Sequence, residues 1–114
     1  MRDHTNLRAF ELADQVVLMI YKSTRNFPKE ERYGLTSQMR RAAISVASNI
    51  VEGCARESII EYRRFLEMSF ASLKELHYQF SVATRLYYVP ETEISPYELK
   101  LNERYLIAEK ALEC

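Results

Sequence analysis

Residues 32–56 read RYGLTSQMRRAAISVASNIVEGCAR. Apolar side chains recur in this stretch every three or four positions, which predicts a helix. The middle of the helix carries alanine and serine where large side chains would be usual, so we expect a neighbouring backbone to approach it closely. The face expected to enter the core consists of Leu35, Met39, Ala42, Ala43, Val46 and Ile50.

Three further helices are predicted around this one. Helix one spans Asn6 to Asn26, and helix two begins between Pro28 and Leu35 and ends near Gly53. Helix three spans Ser58 to Tyr88, and helix four follows Ser95. Ser58 and Ser95 each begin a capping-box pattern, in which serine and a later glutamate bond to backbone amides at the start of a helix. The predicted core stripe of helix three consists of Ile59, Tyr62, Leu66, Ser69, Leu73, Leu76, Phe80, Ala83 and Tyr87.

Composition supports one helical domain. The chain has 114 residues but only two glycines and three prolines, which is too few turn formers for a β fold. Short connections make successive helices antiparallel, so we predict an all-α, up-down-up-down four-helix bundle over residues 1–114. The amino terminus has neither a signal-peptide pattern nor a membrane span, which favours the cytoplasm.

Charge is balanced in total but uneven along the chain. Sixteen basic and sixteen acidic residues give a formal net charge of zero, so nothing global indicates a nucleic-acid or membrane partner. From Lys22 to Arg64, however, nine bases face five acids, a net charge of +4. Arg40, Arg41, Arg63 and Arg64 are candidate phosphate contacts, with a solvated face or salt bridges between subunits as the alternatives.

Helix two has a second face that lacks the charges typical of a solvent-facing surface. Small and β-branched residues occupy it, including Ile44, Ser48 and Val51, and helix three adds a similar stripe with Phe65 and Met68. A four-helix monomer needs one apolar face per helix, so these two stripes predict self-association through those five residues. The alternative is that the stripes only widen the core face.

Several segments are similar to one bacterial family of four-helix bundles. They are residues 27–53, FPKEERYGLTSQMRRAAISVASNIVEG, then EYRRFL at 61–66 and SLKEL at 72–76. The founding members are encoded in intervening sequences of 23S ribosomal RNA genes, and the accessory variability protein of diversity-generating retroelements belongs to the same family. Asn49, Glu52 and Gly53 match its signature, whereas Ala47 and Val51 replace a usual proline and alanine.

This resemblance implies an up-down bundle that frequently forms a ring-shaped homopentamer. In the retroelement branch it further implies a basic surface that engages nucleic acid and a reverse transcriptase. The zero net charge of this chain differs from the strongly basic accessory proteins of that branch. For Asn49 and Glu52 the residues favour a structural role, a polar pair that ties helix two to the following turn.

No residue pattern indicates an enzyme, a metal site or a cofactor. Neither His4 nor His77 has a glutamate three positions before it, as a di-iron bundle requires. Cys54 and Cys114 form no CxxC pattern, and we interpret Cys54 as a small buried core residue. We therefore predict a non-enzymatic, self-assembling scaffold with RNA as a candidate partner. The alternative is a protein-protein adaptor whose arginines serve subunit contacts, and an enzyme with an unrecognised site ranks third.

Overall fold

Three long helices dominate the computed structural model, which describes residues 2–94. They are α1 (Arg8–Ser23), α2 (Leu35–Cys54) and α3 (Ile59–Arg85). All regular structure within residues 2–94 is helical, which confirms the all-α class and the first three predicted helices. Residues 91–94, which precede the predicted start of helix four, are also helical, and predicted helix four with its Ser95 cap lies outside the described residues.

Hydrogen bonds from backbone amides to side-chain oxygens mark where two of the helices begin. The Leu35 amide donates to Glu31 Oε1 at 3.1 Å, so α2 begins at the late end of the predicted interval, after a short 3-10 helix. The Glu61 amide donates to Ser58 Oγ at 3.3 Å, which confirms the serine half of the predicted cap of α3. Each bond satisfies an amide that has no partner within its own helix.

The core is formed by one face of each helix. Fully buried members include Ile20 of α1, Met39 of α2, and Leu76 and Phe80 of α3. The predicted core face of helix two and the predicted core stripe of helix three are confirmed through most of their length. Their buried residues are Met39, Ala42, Ala43, Val46, Ile50, Leu66, Ser69, Leu73, Leu76, Phe80 and Ala83. Leu35 and Tyr62 are partly buried against this core.

Two expected members of the α3 seam are not core residues. Ile59 is 62% exposed and Tyr87 is 83% exposed. Ile59 is the first residue of α3. Tyr87 lies beyond the last helical residue, Arg85, in the left-handed backbone region with φ of 60°. The chain has therefore left the helix before Tyr87 could continue its stripe.

The small residues of α2 face α3. Ser69 Oγ donates a buried hydrogen bond of 2.7 Å to the Val46 carbonyl, and the Ser45 and Ser72 hydroxyls lie 2.8 Å apart. A side chain to backbone bond between two helices requires close approach, which alanine and serine permit and larger residues would block. The neighbouring backbone that was expected to approach this stretch is therefore the backbone of α3.

Contacts at both ends of α2 hold it against its neighbours. The Arg2 amide donates to the Cys54 carbonyl at 2.9 Å, which places the beginning of the chain at the end of α2. Tyr88 Oη donates to Glu31 Oε2 at 2.8 Å, which joins the segment after α3 to the segment before α2. Within residues 2–94 no helix combines the length and apolar character that a membrane crossing requires.

Candidate nucleic-acid interface

A groove of about 650 Å³ runs along the outer side of α2 where the end of α1 meets it. Its lining is basic, aromatic and rich in hydroxyl groups, with no aspartate or glutamate among the described residues that form it. The lining residues are Tyr21, Arg32, Tyr33, Thr36, Ser37, Arg40, Arg41, Ile44, Ser45 and Ser48. Three guanidinium groups without an acidic neighbour in the lining make this groove a suitable place for an anion.

Arg40 is held in the groove by α1. Its Nε donates to Thr24 Oγ1 at 2.9 Å, one terminal nitrogen donates to the Tyr21 carbonyl at 3.4 Å, and its guanidinium lies 4.7 Å from the Tyr21 ring centroid. These contacts use two of the five N–H groups that a guanidinium carries. Arg40 therefore joins α1 to α2 and still directs donors into the groove.

Tyr33 and Arg32 line the groove from the turn before α2. Tyr33 is 88% exposed, and the Arg32 guanidinium lies 5.7 Å from its ring centroid. Both residues belong to the turn before α2, where the short 3-10 helix has ended. An aromatic ring in water next to a cation offers a flat surface for stacking.

The four arginines predicted as phosphate contacts do not form one cluster. Arg41 is exposed in the groove, whereas Arg63 and Arg64 are exposed near the start of α3. The start of α3 packs at the level of Gly53, twelve residues after Arg41 along α2. At a rise of about 1.5 Å per residue the two pairs are about 18 Å apart along the bundle. Adjacent helices were a correct expectation, but their opposite directions separate the pairs.

The residues predicted to contact other subunits lie on the surface of α2 and α3. Ile44 is 44% exposed and Met68 is 39% exposed, Ser48 is exposed, and Val51 and Phe65 are partly buried. Ile44 and Ser48 also line the groove, whereas the other three lie toward the Gly53 end of the helix pair. The five residues thus extend from the groove to the Gly53 end of the helix pair, where the Arg56 guanidinium lies 4.8 Å from the Phe65 ring centroid.

Contacts within α2 and with α3 account for two of the three signature residues. Asn49 Nδ2 donates to the Ser45 carbonyl at 2.8 Å and to Ser45 Oγ at 3.0 Å, and Ser45 in turn contacts Ser72 of α3. The predicted tie from Asn49 to the following turn is therefore wrong, since its amide bonds backward along α2. Gly53 is buried against α3, and the side chain of Glu52 is exposed.

The cysteine and histidines of the described chain do not form a reactive cluster. Cys54 is buried, as predicted, and burial raises the pKa of its thiol. The His4 ring packs edge-on against Phe10, with centroids 4.7 Å apart. Among the described residues no group of three or more His, Cys, Asp or Glu side chains is placed to bind a metal ion.

Sequence reasoning missed Tyr21, Arg32 and Tyr33 as groove residues. Arg32 and Tyr33 stand directly before the alanine- and serine-rich stretch, so an adjacent basic and aromatic pair was visible there. Tyr21 lies on α1 and is 39% exposed, and the Arg40 guanidinium covers its ring.

Comparison with known proteins gives one family and one fold. A family model described as 23S rRNA-intervening sequence protein matches residues 5–108. Among solved structures, a protein with unknown function from the S23 ribosomal protein family of Bacteroides thetaiotaomicron superposes with a TM-score of 0.83. It is 13% identical, and the alignment covers 93% of this chain and 96% of that chain, so it shows a shared fold. No curated protein matches.

Proposed function

Because this chain belongs to the 23S rRNA-intervening sequence protein family, we propose that it is a non-enzymatic scaffold that self-assembles and binds RNA. In this proposal the chain forms an up-down-up-down four-helix bundle, and several copies join through Ile44, Ser48 and Val51 of α2 and through Phe65 and Met68 of α3. The RNA contacts the basic groove. The proposal keeps the predicted assembly and moves the predicted RNA contacts toward one end of α2.

The observation that carries the RNA proposal is the composition of the groove. Arg32, Arg40 and Arg41 lie there together with serine and threonine hydroxyls, and no acidic residue is among the lining residues. Arginine forms bidentate hydrogen bonds with phosphate oxygens, and hydroxyl groups add weaker ones. A neutral protein that concentrates three guanidinium groups in one concave surface has a local field that its net charge of zero conceals.

Self-assembly would strengthen a groove that is weak in a single copy. In a closed ring, each subunit presents the same groove at a fixed spacing. A ligand that reaches two grooves binds the second at a high effective concentration, which raises the overall affinity by about 10²- to 10⁴-fold. Long RNA should therefore bind much more tightly than an oligonucleotide that fills one groove.

The adaptor alternative is supported by a specific observation as well. Ile44, which lines the groove, is one of the predicted subunit contacts. If a second copy covered the groove, the groove arginines would contact that copy and RNA would be excluded. The two functions predict different effects of removing the groove arginines. RNA binding is lost if the groove binds RNA, whereas oligomer mass is lost if the arginines contact another subunit.

Fluorescence anisotropy with labelled RNA tests the proposal. The informative variant is Arg32→Ala with Arg41→Ala, because both side chains are exposed, whereas removal of Arg40 would also disturb the contact between α1 and α2. Its control is Lys74→Ala with Arg85→Ala, which removes the same charge from exposed positions of α3. We expect the groove variant to weaken binding and to reduce the slope of log K against log salt by about 2, since each lost phosphate contact reduces it by about 1.

Two results would contradict the proposal. Absence of RNA binding by the unmodified protein at low salt would favour the adaptor. Equal weakening by the groove variant and the control would mean that RNA binds through general charge instead of through the groove. Multi-angle light scattering on each variant shows whether the oligomer is intact, and a loss of mass in the groove variant would assign the arginines to the subunit interface.

A further inference from the structure

We infer that the groove takes unpaired nucleotides, with a base stacked on Tyr33 and the adjoining phosphates held by Arg40 and Arg41. This inference rests on the proposed RNA binding and specifies the form of RNA that is bound. It is carried by the shape of the groove, by the exposure of Tyr33 and by the fixed position of Arg40.

The groove is a concave surface with a partly buried arginine in it. One face of α2, Tyr21 of α1 and the turn before α2 line it. Arg40 lies partly buried within this concave surface, against the Tyr21 ring, so a convex duplex would contact only the rim. A single strand can enter and reach it.

Tyr33 is placed to receive a base. Its ring is 88% exposed, and its described ring contact is the Arg32 guanidinium 5.7 Å from the centroid. An exposed ring contributes no hydrophobic stabilisation, so packing within this chain does not account for the position of Tyr33. The faces of bases are covered by their neighbours inside a duplex but are available in a single strand, and stacking on aromatic side chains is the usual way in which proteins bind them.

Arg40 supplies a phosphate contact that is already in position. Two of its N–H groups are bonded to Thr24 and Tyr21, so its guanidinium loses little conformational freedom when a phosphate binds. Arg41 is adjacent in sequence, exposed, and lines the same groove. From Thr36 to Ser48 the groove follows α2 for about 18 Å, the length of about five nucleotides stacked 3.4 Å apart.

The test compares a labelled oligoadenylate RNA of about twelve nucleotides, within the size range of single-strand sites, with the same strand annealed to oligouridylate. Tyr33→Leu removes the aromatic face and keeps an apolar side chain, and Tyr33→Phe is the matched control because it keeps the ring. Since a stacked base contributes about 1–3 kcal/mol, we expect Tyr33→Leu to raise the Kd for the single strand by about fivefold to a hundredfold. Tyr33→Phe should leave the Kd within about twofold. The duplex should bind more weakly than the single strand to the unmodified protein and to Tyr33→Phe, and this difference should shrink in Tyr33→Leu.

The outcomes separate this inference from the proposed function. Salt-dependent RNA binding with equal affinity for duplex and single strand, or unchanged by Tyr33→Leu, would overturn the inference and leave the proposed function standing. Failure of the unmodified protein to bind either RNA at low salt would remove both. Because Tyr33 is almost fully exposed, we expect all variants to unfold at the temperature of the unmodified protein, and a shift would assign Tyr33 to the fold and overturn the inference.

Discussion

A Cβ atom built on Gly53 of α2 would lie 2.9 Å from the Phe65 Cβ atom of α3. The same atom would be 3.3 Å from the Tyr62 carbonyl oxygen, so the neighbour is backbone as well as side chain. Together with the Ser69 to Val46 hydrogen bond of 2.7 Å, this shows that α2 and α3 approach closely at two levels. A glycine in the last turn of α2 permits the closest of these approaches.

The first prediction concerns this contact. Gly53→Ala gains about 0.8–1.0 kcal/mol of helix propensity, but overpacking of a well-packed site costs about 1–3 kcal/mol. Because backbone of α3 would have to shift, we expect a net loss of unfolding free energy of up to about 2 kcal/mol. Urea denaturation measures it, with exposed Ser48→Ala of the same helix as the control, which should not destabilise. A stabilised Gly53→Ala protein would show that α3 yields easily.

The second prediction compares how much the buried side chains of α3 and its N-terminal cap contribute to the free energy of unfolding. Leu76 is fully buried, so Leu76→Ala should reduce the unfolding free energy by about 2–5 kcal/mol through lost burial and a cavity. Ser58→Ala removes one capping bond and should cost about 1 kcal/mol. Thermal or urea unfolding of both variants decides the order. A larger loss from Ser58→Ala would mean that α3 depends more on its start than on its seam.

Much of the fold is predictable because the spacing of apolar residues along a helix indicates which of its positions are buried. The seam from Leu66 to Ala83 repeats every three or four residues, and the structure buries these positions. The ends are harder to predict, because a helix stops for local reasons that the stripe does not show. The Glu31 carboxylate determines the start of α2, and the left-handed backbone at Tyr87 follows the end of α3. Neither changes the apolar pattern.

The candidate site was less predictable because it depends on how the helices are paired. Arg40 and Arg41 are adjacent in the sequence, but a cluster with Arg63 and Arg64 would need all four side chains at one level of the bundle, which the opposite directions of α2 and α3 do not provide. The groove instead joins the end of α1 to the start of α2, through the bond from Arg40 to Thr24. Sixteen residues separate these two partners in sequence. No local pattern reveals such a contact.

The third prediction uses the raised pKa of Cys54. Because burial raises its pKa in the folded protein, the unfolded chain loses the thiol proton first as pH rises. Stability from this group is therefore complete below the ordinary thiol pKa of about 8.5 and is lost as pH rises through the higher folded value. We expect the urea midpoint to fall between pH 7 and pH 9.5.

Cys54→Ala provides the control for this pH effect. It should show a smaller fall over the same range, although its midpoint at pH 7 is lower because a buried sulfur has been removed. The hydrogen bond to Glu31 also raises the pKa of Tyr88, so Tyr88 would add its own loss of stability at higher pH. The measured range therefore ends at pH 9.5, below the ordinary tyrosine pKa of about 10. An equal fall in both proteins would assign the pH dependence to another group.

The fourth prediction is that the protein is a closed homo-oligomer, with a pentamer favoured by the family resemblance. Val51 is partly buried and Met68 is 39% exposed at the same end of the helix pair, and Ile44 is 44% exposed on the outer side of α2. Burial of a large aliphatic side chain in an interface contributes about 1.5–3 kcal/mol, and an unpaired glutamate in its place adds a desolvation cost. Ile44→Glu with Val51→Glu should therefore reduce the mass measured by light scattering at tens of micromolar.

Leu18→Glu is the matched control for this prediction. Leu18 is an exposed leucine on α1, outside the predicted contacts, so a glutamate there changes charge and surface apolarity without entering the interface. Its oligomer mass should equal that of the unmodified protein, and circular dichroism should show intact helices in all three. A monomeric unmodified protein would refute self-association through α2 and α3. An unchanged mass in the double variant would place the interface elsewhere, and a monomer from Leu18→Glu alone would place it on α1.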